Sequence, residues 1–184
     1  MYTDSRILYF CLSKTGCTYT QDVLAKALQG ELSERKHVTK SQLTPAQAEG
    51  FDRKLKVGNI RNPWDWYVSL WGWGCARKGA LYRSLSGVDG WEARKHWYDD
   101  VRNPGHFRQW LRYIIRRSHG KTPRGSNTPA ITASAGMLTR RYLKMYTDGS
   151  EHDGTALATA DDIQAFDARH NFIDRFLRTE TLDA

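Results

Sequence analysis

With 184 residues the chain suits one domain built on one sizeable core and is short for two. A hydrophobic share of 40% and a charged share of 26% exclude a disordered chain, and no apolar run approaches the ~18–20 residues of a membrane span. The net charge of +8 points to anionic partners, whether nucleotides, phosphates, sulfated sugars, nucleic acid or an acidic membrane surface, without choosing among them.

The start of the chain is polar, with no signal-peptide h-region, and no internal repeat is visible. Cys11, Cys17 and Cys75 are odd in number and lack Cys-x-x-Cys spacing, so neither a disulfide framework nor a zinc site is expected. A reducing, cytoplasmic location fits that usage best.

Arg6 to Leu12 is a short apolar run of strand formers, ended by Ser13-Lys14-Thr15-Gly16. A helix is expected from near Thr18, with Val23, Leu24, Ala27 and Leu28 at helical spacing before Gly30 stops it. Glu34 to Thr39 reads as a minor strand or loop, and Thr44-Pro45-Ala46 opens a short helix with Pro45 at its favoured first position. Leu55 to Ile60 is a second buried strand, running into Arg61-Asn62-Pro63.

From Trp64 to Cys75 bulky residues fall on nearly every face, which predicts a buried helix. Residues His106 to Arg117 form an amphipathic helix with Phe107, Trp110, Leu111, Ile114 and Ile115 inward and Arg108, Arg112 and Arg116 outward. Ser118 to Pro129 is a loop and a candidate lid. Helices are expected at Ala133–Met145 and Asp161–Arg169, separated by a polar stretch, and a last strand at Asn171–Asp174. Strands alternating with helices predict an α/β layer fold, a central and largely parallel sheet flanked by helices.

A strand running through Ser13-Lys14-Thr15-Gly16-Cys17-Thr18 into a helix suits a phosphate, because free N–H groups and the helix N-terminus face the anion and Lys14 adds a full charge. The same residues also fit a plain polar turn. A nucleotide-triphosphate P-loop is refused: no glycine precedes Gly16, the lysine stands before the glycine, and the next strand ends at Arg61 where an acid would hold magnesium.

Leu12 to Thr18 resembles the 5′-phosphosulfate-binding loop of sulfotransferases, commonly Pro-Lys-Thr-Gly-Gly-Thr. Val57 to Trp71 is similar to their 3′-phosphate-binding segment, with Arg61, Asn62, Pro63, Asp65 and Ser69 at the family positions. Phe172-Ile173-Asp174-Arg175-Phe176 resembles a later Phe-Ile-Gly-Arg-Phe segment. The likeness is greatest to the carbohydrate sulfotransferase branch, including the 2-O-sulfotransferases of glycosaminoglycans. Ser13 replaces the usual proline, Cys17 the second glycine, and Trp66 a frequent arginine; relatives commonly continue with further helices beyond the position of Ala184.

This resemblance implies a P-loop-like three-layer fold over residues 1–184. It also implies transfer of a sulfuryl group from 3′-phosphoadenosine 5′-phosphosulfate to a hydroxyl acceptor of the carbohydrate class, with no metal requirement and no nucleic-acid partner. Ser13, Lys14, Thr15, Gly16, Cys17 and Thr18 would hold the donor's 5′ side, and Arg61 with Ser69 its 3′-phosphate. Lys14 would offset charge on the leaving oxygen, and His37 would be the base, with His106 and His119 in reserve. Taken singly, Arg61 also fits a strand-end ion pair, Ser69 a helix serine bonded to its own backbone, and His37 a surface histidine. Trp64 and Trp66 fit either core or cleft, and Arg108, Arg112 and Arg116 either a solvated face or a grip on an acidic acceptor.

Two other classes stay open on the sequence. One is a small-molecule kinase with a degenerate P-loop. The other is a non-catalytic basic nucleotide- or nucleic-acid-binding protein, which includes an inactive relative that binds adenosine bisphosphate.

Overall fold

The computed structural model describes residues 1–118, 135–148 and 157–182. The chain opens on β1 (Tyr2–Thr3), turns at once into β2 (Ile7–Phe10), passes through a loop to α1 (Cys17–Ala27), and returns through β3 (Glu31–Leu32). A short helix α2 (Pro45–Ala48) precedes β4 (Leu55–Ile60), which feeds α3 (Pro63–Cys75). Helices α4 (Ala80–Ser86), α5 (Trp91–Arg94), α6 (Pro104–Ser118), α7 (Met137–Tyr146) and α8 (Ala160–His170) follow, and β5 (Arg175–Arg178) comes last.

The sheet runs β3-β1-β2-β4-β5. Strands β2, β4 and β5 are mutually parallel, but β1 is antiparallel to both β2 and β3, so the sheet is mixed rather than largely parallel. The reason lies in three residues. Asp4 Oδ1 accepts the amides of Arg6 (2.6 Å) and Ile7 (2.7 Å), which closes a tight turn, and a turn can join only antiparallel neighbours.

Alternation along β2 builds two cores. Leu8 and Phe10 face Met145 and Tyr146 of α7, whereas Tyr9, with Cys11 just beyond the strand, faces Cys17 and Leu24 of α1. Helices therefore cover both faces of the sheet. A third, aromatic core lies among α3 to α6, around Trp66, Trp71, Tyr98 and Trp110.

Several expectations need correction. Residues 171–174 form no strand: Asn171 Oδ1 accepts the Ile173 amide, Asp174 Oδ2 accepts the Lys56 amide, and the paired strand begins one residue later at Arg175. Helix α3 is not buried all round, since Trp64 (66%), Val68 (48%) and Trp73 (44%) are exposed. Residues 34–39 are loop, and the minor strand lies just before them at Glu31–Leu32. The loop expected at Ser118–Pro129 falls, from residue 119 on, outside the described residues, as does His119. Among the described residues no helix is long and apolar enough to cross a membrane.

Gly58 marks how closely α7 lies on the sheet. A Cβ there would stand 2.9 Å from the Tyr146 ring, whose hydroxyl donates to Asn59 O (2.7 Å) and accepts from Asn59 N (3.0 Å). Gly58→Ala is expected to destabilise the fold by about 1–3 kcal/mol, read as a lower denaturant midpoint at unchanged slope. An unchanged midpoint would mean that the Tyr146 ring yields freely.

Candidate functional site

The loop between β2 and α1 is shaped by two left-handed residues, Lys14 (φ 67°) and Gly16 (φ 75°). Glycine adopts that region freely, but lysine does so at a cost, and such strain concentrates at functional loops. Cys17 stands where the sulfotransferase pattern has a second glycine, yet it is already helical as the first residue of α1, so positive φ is not asked of it.

Side chains from elsewhere hold this loop by its carbonyls. Trp66 Nε1 donates to Ser13 O (2.7 Å), Arg61 to Lys14 O (3.3 Å) and Asn59 Nδ2 to Thr15 O (2.7 Å). Three successive carbonyls are thus engaged from the protein side. The Thr15 hydroxyl also turns inward, to Leu12 O at 2.6 Å. With its carbonyls held, the loop and the uncapped first turn of α1 keep their amides for an anion.

Beside the loop lies a cavity of about 490 Å³, lined by Ser13, Lys14, His37, Trp73, Arg141 and Lys144 among others. Among the described residues its wall carries three side-chain cations, Lys14, Arg141 and Lys144, and no carboxylate. The Lys14 ammonium rests on the Trp73 ring, 3.8 Å from its centre. Desolvation lowers the Lys14 pKa, with the cations Arg61 and Lys36 acting in the same direction. Arg141, half-buried on α7, donates to Ser13 Oγ (2.9 Å) and lies 5.4 Å over the Trp66 ring. Desolvation lowers its pKa too, and among the described residues no carboxylate forms an ion pair with it.

His37 reaches the same cavity from the stretch after β3. Its Nδ1 stands 2.7 Å from Cys11 O, and a carbonyl only accepts, so Nδ1 carries the proton and Nε2 keeps its lone pair. Desolvation lowers its pKa, which favours the neutral ring. Nearby, the Cys11 and Cys17 sulfurs lie within 4.8 Å of each other, and their interaction pushes the Cys11 thiol up and draws the Cys17 thiol down. Lys36 Nζ donates to the Thr18 hydroxyl, placing a further cation at the loop.

The expected residues are brought together unequally. Ser13, Lys14 and His37 share one cavity, while Arg61 lines an adjacent one of about 360 Å³ with Ile60, Tyr142 and Asp167. Ser69 lines neither, but it shares the α3 stripe of Trp66 and Trp73, whose indoles meet the loop. Thr15 and Cys17 are buried and serve the loop from within, whereas Thr18 is exposed. His106 packs against His96 in the aromatic core region, away from the loop. Trp64 is exposed; Arg108, Arg112 and Arg116 are a solvated face.

Arg141, Asn59, Lys36 and Trp73 were not foreseen. The one local hint was Arg140-Arg141 inside an amphipathic helix, which more often marks a wet face. A further depression, bounded by Asp4, Glu31 and Glu49, opens at the N-terminal ends of β2 and β4. Arg53 and Lys54 line it together with these acids, and it lies at the wrong end of the parallel strands, since ligands of α/β sheets gather at their carboxyl ends. Comparison with protein-family models, curated proteins and solved structures found no match.

Proposed function

We propose that the chain is a sulfotransferase with a P-loop-like site, moving a sulfuryl group from 3′-phosphoadenosine 5′-phosphosulfate to a hydroxyl of a carbohydrate. The observation that carries this reading is the meeting of Lys14 and His37 on one cavity, free of acids among the described residues, beside the strand-loop-helix turn. The loop amides and Arg141 take the 5′ side of the donor. Arg61, which spends one guanidinium nitrogen on the loop, has others for the 3′-phosphate, and Ser69 is the neighbouring hydroxyl. In-line transfer then needs only positioning and charge stabilisation: Lys14 meets charge on the departing bridging oxygen, and His37 Nε2 takes the acceptor's proton.

A kinase reading fares worse on the same residues. Nucleotide triphosphates need an acid for magnesium near the loop, and β4 is followed instead by Arg61. The discriminating test is thermal. At about 100 times its Kd, 3′,5′-adenosine bisphosphate should add ~2.7 kcal/mol, about 5–10 °C for a chain of this size, while ATP with magnesium gives little. A shift with magnesium-ATP and none with the bisphosphate would overturn the proposal.

A further inference from the structure

Cys11, Cys17 and His37 come from three separate stretches: just past β2, the first position of α1, and the connection after β3. Spacing in sequence therefore carries no metal motif, yet the fold brings both sulfurs and one imidazole nitrogen within 4.8 Å of one another. All three cysteines of the chain are free thiols, and Cys75 lies apart on α3.

We propose that Cys11, Cys17 and His37 form a binding site for one thiophilic divalent cation of the Zn²⁺ class, with its fourth position open to the cavity that His37 lines. Two sulfurs and one imidazole are a borderline-soft donor set, which suits zinc and disfavours the oxygen-seeking magnesium and calcium. Tetrahedral zinc, with bonds of about 2.3 Å to sulfur and 2.0–2.1 Å to nitrogen, holds its donors roughly 3.5–3.8 Å apart. Closing the cluster thus needs shifts of about 1 Å.

Two features prepare it. The Nδ1 hydrogen bond to Cys11 O fixes the ring and leaves Nε2 as donor, the usual support of a ligating histidine. Cys17 also opens a helix, and the positive end of the helix dipole favours a thiolate at that position. On binding, two thiol protons leave to solvent, and thiolates and cation together are neutral. Because the lone pair of Nε2 cannot both bind zinc and accept a proton, occupancy removes the base. This last consequence rests on the sulfotransferase reading, but the site itself does not.

Cobalt titration of the reduced, chelator-treated protein tests the site directly. One equivalent of Co²⁺ per chain should produce thiolate-to-cobalt charge-transfer bands, displaced by Zn²⁺. Cys11→Ser and Cys17→Ser should lose them and Cys75→Ser keep them. His37→Ala, at an exposed edge where the core is spared, should weaken zinc binding at least ~100-fold, beyond the ~10–100-fold that loss of a mere supporting partner costs. Absence of the bands in the parent, or bands that depend on Cys75, would overturn the site whatever the donor experiments show. Zinc should also inhibit sulfuryl transfer, with activity restored by chelation. Bands without inhibition would uphold the site and remove His37 as the base.

Discussion

In the proposed sulfuryl transfer, Lys14→Ala is expected to lower the rate by about 10²–10³-fold, and Lys14→Gly to lower it equally while giving a protein more stable than the alanine variant by about 1 kcal/mol. The two effects separate because Lys14 holds two distinct properties. Its ammonium, set on Trp73 at the cavity wall, is the charge the proposed reaction needs on the leaving oxygen. Its backbone sits at φ 67°, where any side chain crowds the following carbonyl. Alanine removes the charge and keeps the strain; glycine removes both. Turnover of labelled donor together with denaturant midpoints reads the pair. Parental turnover in both variants would take Lys14 out of the chemistry, and equal stability of the two would mean that the loop relaxes its φ.

That strain explains why the loop was only half legible in the sequence. The order of strand, Lys-Thr-Gly turn and helix could be read from local signals, and so could the bounds of β4, where an apolar run meets Asn62 and Pro63. Asn62 caps α3 through the Trp64 amide (2.9 Å) and Pro63 takes the first helical position, as local chemistry dictates. What local signals do not carry is the backbone sign at each loop residue. A glycine at position 17, as in the sulfotransferase pattern, would leave positive φ open there. The fold instead places positive φ at Lys14 and Gly16, and it begins the helix at Cys17.

The remaining surprises are long-range. Strand β1 has two residues, too few for any periodic signal, and it exists because Asp4 folds the chain back onto β2. Its antiparallel pairing makes the sheet mixed. Asn171 and Asp174 are turn residues that bind backbone amides, so the apolar pair between them read as a strand while Phe172 and Ile173 pack under the sheet as loop. Helix α3 showed apolar residues all round, but its neighbours cover only part of it, and Trp64 and Val68 are left on the outside. The Cys11, Cys17 and His37 cluster has no sequence signature, since its members are 26 residues apart at the extremes and meet only through the sheet.

Arg141 is the sharpest such case, and its removal should have opposite effects on stability and on binding. On α7 it reads as one more basic residue of an amphipathic face, yet the helix lies over the loop and desolvates the guanidinium without supplying an acid among the described residues. Among the described residues this desolvated charge is held by one neutral hydroxyl and an indole face, which leaves it under-compensated there. An incoming sulfate or phosphate group supplies the missing partner. Arg141→Met should therefore leave unfolding stability level or raise it, by up to about 1–4 kcal/mol. The same change should weaken binding of 3′-phosphoadenosine 5′-phosphosulfate by ~2–5 kcal/mol, which is 30-fold or more. Arg141→Lys keeps the charge but loses the planar fork, and should fall between. Calorimetric titration and denaturant melts of the three proteins decide the matter. A less stable Arg141→Met that binds donor as tightly as the parent would make Arg141 a packing residue, because only a ligand-directed charge is costly to keep and costly to lose for the ligand alone.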